Sequence, residues 1–141
     1  MRLLLVVLLA LVLAPATMAE RSSAPTLKTA SSSYGKVLFD GRGFVLYGFT
    51  RDHGHSSCYG ACAKAWPPYF APKGTLTVGA GVKKSLLGTV KRKNGRRQVT
   101  YAGKPLYYYV GDTRPGQILC QDVFEYGGRW LIVRPSGKLV R

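Results

Sequence analysis

Four side chains close in sequence carry donor atoms that metals accept: His53, His55, Cys58 and Cys62, in the order His-x-His-x-x-Cys-x-x-x-Cys. Imidazole nitrogen and thiolate sulfur suit zinc or copper, and Cys120 adds a fifth donor from far along the chain. The spacing is not a standard zinc pattern, and in an oxidising compartment two neighbouring thiols form a disulfide more readily than a thiolate pair. No cofactor is therefore the expectation, with zinc or copper, or a thiol redox role, as the alternative. Three cysteines cannot all pair within one chain. Cys58 with Cys62 is the simplest disulfide by proximity, and the spacing equally allows Cys120 to pair with either.

A second set combines carboxylates with aromatic rings. Tyr47, Phe49 and Asp52 are matched by Tyr107, Tyr109 and Asp112, each set reading Tyr-x-aromatic-x-x-Asp. Side chains alternate along a strand, so Tyr47 and Phe49 share one face, as do Tyr107 and Tyr109. Such pairs normally pack in a core with their hydroxyls hydrogen-bonded, and the alternative is an aromatic platform for a sugar or other flat ligand. If a pseudo-twofold brought Asp52 and Asp112 together they would form an acid/base pair, but neither stands in an Asp-Thr-Gly turn. An aspartate just after a strand more commonly closes the turn or pairs with an arginine.

A third set is cationic: Lys91, Arg92, Lys93, Arg96 and Arg97 surround Asn94-Gly95, with Lys83 and Lys84 nearby. A hairpin carrying that charge can hold anionic envelope polymers or lipid headgroups, with steep weakening by salt. Lysines on an exposed hairpin also block edge-to-edge aggregation without binding anything. Sequence-specific nucleic-acid reading is not expected, since no recognition helix is evident. Gly-x-Ser-x-Gly, phosphate-loop and dinucleotide fingerprints are absent, so no catalytic residue is assigned.

The elements that must position these groups are short. Val37–Phe39 and Phe44–Phe49 flank the turn Asp40-Gly41-Arg42-Gly43, and residues 88–92 and 98–101 flank the Asn-Gly turn. A further strand is expected over Leu106–Tyr109, and a last hairpin joins Trp130–Val133 to Leu139–Val140. Ser56-Ser57 can cap one short helix over Cys58–Ala65, stopped by Trp66-Pro67-Pro68. Short strands and frequent glycine turns indicate an all-β domain.

With 141 residues, 21 Lys+Arg against 6 Asp+Glu and 46% hydrophobic residues, the chain is one strongly basic domain of formal charge +15. Length argues against a multidomain enzyme, and the apolar fraction argues against a wholly disordered chain. Arg2, the apolar run Leu3–Ala14 and the small residue Ala19 read as a secretory signal peptide over residues 1–19. A spanning helix needs about 20 apolar residues, and this run ends at Pro15 well short of that. Residues 20–33, rich in Ser, Ala and Thr, read as a flexible leader to a domain over 34–141. The product is expected outside the cell, in the cell envelope or the periplasm, with no transmembrane anchor after cleavage.

The matched motifs lie at a constant offset, Leu46–Asp52 over Leu106–Asp112, and each is followed by a tryptophan, Trp66 and Trp130. Two copies of one unit, about 35–72 and 86–141, imply pseudo-symmetric β-hairpin repeats packed as a small sandwich or barrel, each covering the other's apolar face. With Cys58–Pro68, Leu87–Arg92, Val99–Asp112 and Gly127–Trp130, these residues make the chain resemble the bacterial secreted-repeat family of secreted proteins and lipoproteins with a Tyr-x-(Phe/Trp/Tyr)-x-x-Asp motif. The resemblance implies a secreted domain with no established activity, ligand or catalytic residues. The chain departs from lipidated members by lacking the lipid-bearing cysteine, and Cys120 exceeds the repeat pattern. The combined expectation is an exported, non-enzymatic binding or structural module of the cell envelope.

Overall fold

The structure is a computed structural model and describes residues 23–141; the expected signal peptide over 1–19 lies outside the described residues. In chain order its elements are β1 (Leu27–Ser32), β2 (Gly35–Asp40), β3 (Tyr47–Phe49), helix α1 (Ala61–Ala65), β4 (Leu87–Lys91), β5 (Arg97–Tyr101), β6 (Lys104–Pro105), β7 (Val123–Glu125) and β8 (Gly128–Ile132). They form three small antiparallel sheets, β1-β2, β3-β8-β7 and β4-β5-β6, in a sandwich-like all-β packing with no closed barrel among the described residues.

The two halves exchange partners. In the first half's motif, β3 pairs with β8 of the second half, placing Tyr47 opposite Ile132 and Phe49 opposite Trp130. The second half's motif lies reciprocally against residues 65–69 around Trp66: Tyr69 N–H donates to Leu106 O at 2.9 Å, Tyr108 N–H to Pro67 O at 2.8 Å and Val110 N–H to Ala65 O at 3.0 Å. At the centre Tyr47 and Tyr107 exchange both backbone hydrogen bonds, each 2.9 Å. Leu106–Tyr109, expected as a strand, makes only isolated bridges. Its partner is Pro67-Pro68, which has no N–H to donate, so the ladder is interrupted where β8 completes it in the other half.

Alternation along the central strands divides the core in two. Val37, Phe39, Val45, Tyr47, Trp130 and Ile132 face one apolar cluster, while Leu38, Leu46 and Val133 face a second with Val99, Tyr101 and Leu106. The first cluster is organised by a ring stack: Trp66 and Trp130 lie 4.1 Å apart and nearly parallel, Phe49 stacks on Trp130 at 4.0 Å and Tyr109 leans on Trp66 at 4.8 Å. Each indole also receives a tyrosine edge from its own half, Tyr47 on Trp66 and Tyr107 on Trp130. Both indole N–H groups are satisfied by Glu125, Trp66 through its carboxylate at 2.9 Å and Trp130 through its carbonyl at 3.2 Å.

Two expectations need correction, and one hairpin lies outside the expected elements. The leader expected over 20–33 is not flexible throughout, because residues 27–32 form β1, zipped to β2 from Leu27–Asp40 to Ser32–Gly35. The segment carries few β-branched or aromatic residues, and it becomes a strand because β2 supplies its backbone partners and Leu27 enters the core. The helix over Cys58–Ala65 shortens to Ala61–Ala65, with Gly60 at its N-cap and no side-chain cap, since Ser56 and Ser57 are engaged elsewhere. The β7–β8 hairpin had no local signal: its turn places Tyr126, at φ 55°, in the left-handed region before Gly127.

The ring stack makes a direct prediction. In a double-mutant cycle of Trp66→Leu and Trp130→Leu, chemical denaturation should give a coupling of about 0.5–1.5 kcal/mol beyond the two single losses. Additive losses would contradict the stack.

Candidate functional site

The motif residues meet across the halves. Tyr47 Oη donates to Asp112 Oδ2 at 2.7 Å, and Tyr107 Oη donates to Asp52 Oδ2 at 2.7 Å, so each motif's tyrosine uses the other motif's aspartate. The remaining oxygens close turns: Asp112 Oδ1 accepts from Leu119 N–H at 2.9 Å, and Asp52 Oδ1 accepts from Ser57 N–H at 2.8 Å and Ser57 Oγ at 2.7 Å. The aspartates bond tyrosines and turn backbone, and not each other. Tyr47 and Tyr107 are fully buried, and burial first, then the neighbouring carboxylate, raises both phenol pKa values far above the ordinary tyrosine value. Burial likewise raises the Asp112 carboxyl. Phe49 is buried and Tyr109 half-buried against Trp66, so these rings form the core and leave no open platform.

Arg92 departs from its expected role on the cationic surface. It is 5% exposed, and Nη1 donates to Ser56 Oγ at 2.6 Å and Gln98 Oε1 at 2.8 Å, while Nη2 donates to Cys58 O at 2.7 Å. The Tyr59 ring lies 4.3 Å from its guanidinium carbon. No carboxylate among the described residues forms a hydrogen bond or ion pair with it. Because Tyr107 donates to Asp52, Ser56 must donate to Tyr107, so a directed chain runs from guanidinium through Ser56 and Tyr107 to Asp52. Gln98 completes the cluster by donating to Leu106 O at 2.7 Å. In the sequence Arg92 is indistinguishable from its neighbours because the three acceptors of its guanidinium come from another loop and strand; only its step inside the Lys91–Lys93 pair hints at the opposite face.

The metal arrangement does not assemble. Cys58 and Cys62 are joined in a disulfide, which removes two of the four local donors, and His53 and His55 are exposed. Among the described residues no group of three or more His, Cys, Asp or Glu side chains stands where an ion would need them. Cys120 is a free thiol, half-buried beside the Tyr109 hydroxyl, and burial raises its pKa, which disfavours the thiolate that metal binding or exchange requires. The disulfide instead fixes the Cys58 carbonyl that receives Arg92.

Lys91, Lys93, Arg96 and Arg97 are exposed on the β4–β5 hairpin. Two are braced by rings, Arg96 at 3.3 Å over Phe70 and Lys93 at 4.8 Å over Tyr59, and Arg97 leans on Thr89 Oγ1 through Nε at 2.9 Å. These cations stand over their ring faces, so the hairpin presents charge rather than bare aromatic surface. Lys83 and Lys84 are exposed as well.

A family model described as a secreted repeat of unknown function matches residues 28–69 and 88–134, more than half of the chain and in two copies. No curated protein and no solved structure matches the chain. The two matched stretches are the two halves that exchange Tyr–Asp bonds.

Two expectations follow. Arg92→Met strips three buried acceptors of their donor and should cost about 3–5 kcal/mol, against less than about 0.5 kcal/mol for Lys91→Gln or Lys93→Gln, measured by urea unfolding. Equal costs would contradict the burial of Arg92. Above pH 10 the unfolded chain releases tyrosyl protons that Tyr47, Tyr107 and Tyr108 retain in the fold and that Tyr69 keeps up to about 12, so stability is full below that window and falls as pH rises through it. Tyr47→Phe and Tyr107→Phe should each make that decline shallower by one proton. An unchanged slope would refute the upward shifts.

Proposed function

The chain belongs to the family of secreted repeats of unknown function, and on that premise we propose that it is an exported binding module that adheres to anionic polymers of the cell envelope through Lys91, Lys93, Arg96 and Arg97. One observation carries the reading: the described acidic side chains are engaged by groups away from the hairpin. Asp40 accepts from Arg42 and Tyr108, Asp52 from Tyr107 and Ser57, Asp112 from Tyr47 and Glu125 from Trp66, while Asp122 is paired with Arg129. No described acidic side chain forms an ion pair with Lys91, Lys93, Arg96 or Arg97, so the hairpin faces solvent with its positive charges unpaired.

A polymer with repeated negative groups gains by releasing its counterions onto such a row, a gain that falls with salt. The short, ring-braced hairpin orders its cations before binding, which lowers the entropy lost on contact. No described helix is long and apolar enough to cross a membrane.

The test is retention on immobilised polyanion. Replacing Lys91, Lys93, Arg96 and Arg97 together with Gln should abolish retention at low salt, and each single replacement should reduce the slope of log affinity against log salt by about one. Retention unaffected by the fourfold change would overturn the reading.

A further inference from the structure

The two halves build the same scaffold, and one place where they differ is a cleft. In the first half the turn between β2 and the motif is Asp40-Gly41-Arg42-Gly43, whereas the second half turns through Ala102-Gly103 alone. Tyr108 occupies the position of Gly48 in the repeat, and Tyr69 bonds Val99 as Val133 bonds Leu38. On the Gly48 side the space is filled by aliphatic packing, since a Cβ at Gly48 would lie 2.8 Å from Leu139 Cδ2. On the Tyr108 side it is an open cleft of about 240 Å³ walled by Pro25, Tyr69, Pro72 and Tyr108, with Asp40 and Arg42 at its rim. The pseudo-symmetric position closes with Gly48, Val133 and Leu139, so the polar cleft is not a requirement of the fold.

The chemistry of the rim is set by Asp40. It is buried, and both oxygens are occupied: Oδ1 accepts from Arg42 N–H and Phe44 N–H, each at 2.9 Å, and Oδ2 from Arg42 Nε at 3.0 Å and Tyr108 Oη at 2.9 Å. Asp40 thus holds Arg42 in place and offers a ligand nothing of its own. The Arg42 side chain is 68% exposed, rests over the Phe44 and Tyr108 rings, and its Nη1 has no partner among the described residues. The outward charge of the cleft is a positioned guanidinium, a planar fork that suits a carboxylate.

Drug-sized sites run to about 300–1,000 Å³, so a cleft of 240 Å³ takes one ring and not a chain. The wall continues into the basic hairpin through one short segment: Tyr69 and Pro72 face the cleft, Phe70 lies under Arg96, and Ala71 N–H donates to Arg97 O at 2.9 Å. We propose that this cleft is a subsite for a single carboxyl-bearing sugar ring of an acidic polysaccharide, its apolar face against Tyr69 and Tyr108 and its carboxylate on Arg42, while the hairpin holds the flanking charges. The inference rests on the envelope-polymer reading and adds to it a preference for uronate-type units over other polyanions.

The experiment compares two probes by calorimetry, tetragalacturonate and a linear inorganic polyphosphate of equal charge, on the wild type, Arg42→Gln and the triple change Lys93→Gln, Arg96→Gln and Arg97→Gln. Arg42→Gln should weaken tetragalacturonate about tenfold and leave polyphosphate within about twofold, while the triple change should weaken both. In the wild type, amide shifts on adding tetragalacturonate should centre on Arg42, Tyr69 and Tyr108, a readout that does not depend on how any variant folds. Equal losses for both probes in Arg42→Gln, or shifts confined to the hairpin, would overturn the cleft and leave the polymer reading intact. Absence of binding to either probe by the wild type would overturn both.

Discussion

The crossed bonds Tyr47–Asp112 and Tyr107–Asp52 are the constraint on which the rest of the molecule hangs. Each places a buried hydroxyl of one half on a carboxyl group of the other, and either partner left alone inside the core would cost about 1–3 kcal/mol. Neither half can satisfy its own motif, because its tyrosine and aspartate are turned outward to its counterpart. The reciprocal backbone bonds between Tyr47 and Tyr107 fix the register at the same point, so the polar crossing and the strand pairing specify one arrangement together. Around this centre the Trp66–Trp130 stack supplies the apolar area that two sets of short strands could not bury separately.

The same crossing organises the charge. Asp52 and Asp112 are drawn inward, Asp40 is held by its turn and Glu125 by an indole, which leaves the exposed lysines and arginines with little carboxylate among them. Arg92 runs against this trend, a buried cation whose charge is met by three neutral oxygens and a ring, with Asp52 reached only through two hydroxyls. Burying an arginine this way is tolerable only because every donor direction that matters has an acceptor and no buried side-chain nitrogen or oxygen among the described residues lacks a partner. The Cys58–Cys62 disulfide belongs to this cluster, since it pins the loop that carries two of the three acceptors, Ser56 and the Cys58 carbonyl.

Pseudo-symmetry also separates what the fold needs from what it does not. Tyrosines 47 and 107, tryptophans 66 and 130 and the two aspartates recur and build the scaffold. The four-residue turn at Asp40–Gly43, Tyr69 and Tyr108 have no chemical equivalents at their pseudo-symmetric positions, where Ala102-Gly103, Val133 and Gly48 stand and Leu139 packs. Stability accounts for the first group. The second needs another reason, and an open cleft beside a row of exposed cations supplies one.

From the sequence alone came the all-β class, the two copies with their period, the hairpins at Asp40–Gly43, Asn94-Gly95 and Pro135–Gly137, and the surplus of positive charge. These are readable because alternation, turn chemistry and composition act within a few residues of themselves. The tertiary structure decided which tyrosine met which aspartate, that Arg92 goes inside while Lys91 and Lys93 stay out, that residues 27–32 become a strand, and that Tyr69 and Tyr108 wall a cleft with Arg42. Each of those outcomes depends on partners brought from distant parts of the chain: Asp112 for Tyr47, Ser56 for Arg92, β2 across its own hairpin for a segment with weak strand propensity, and Pro25 for Tyr69. Local spacing carries no record of such meetings, because the free energy that selects them arises only when both surfaces leave water together.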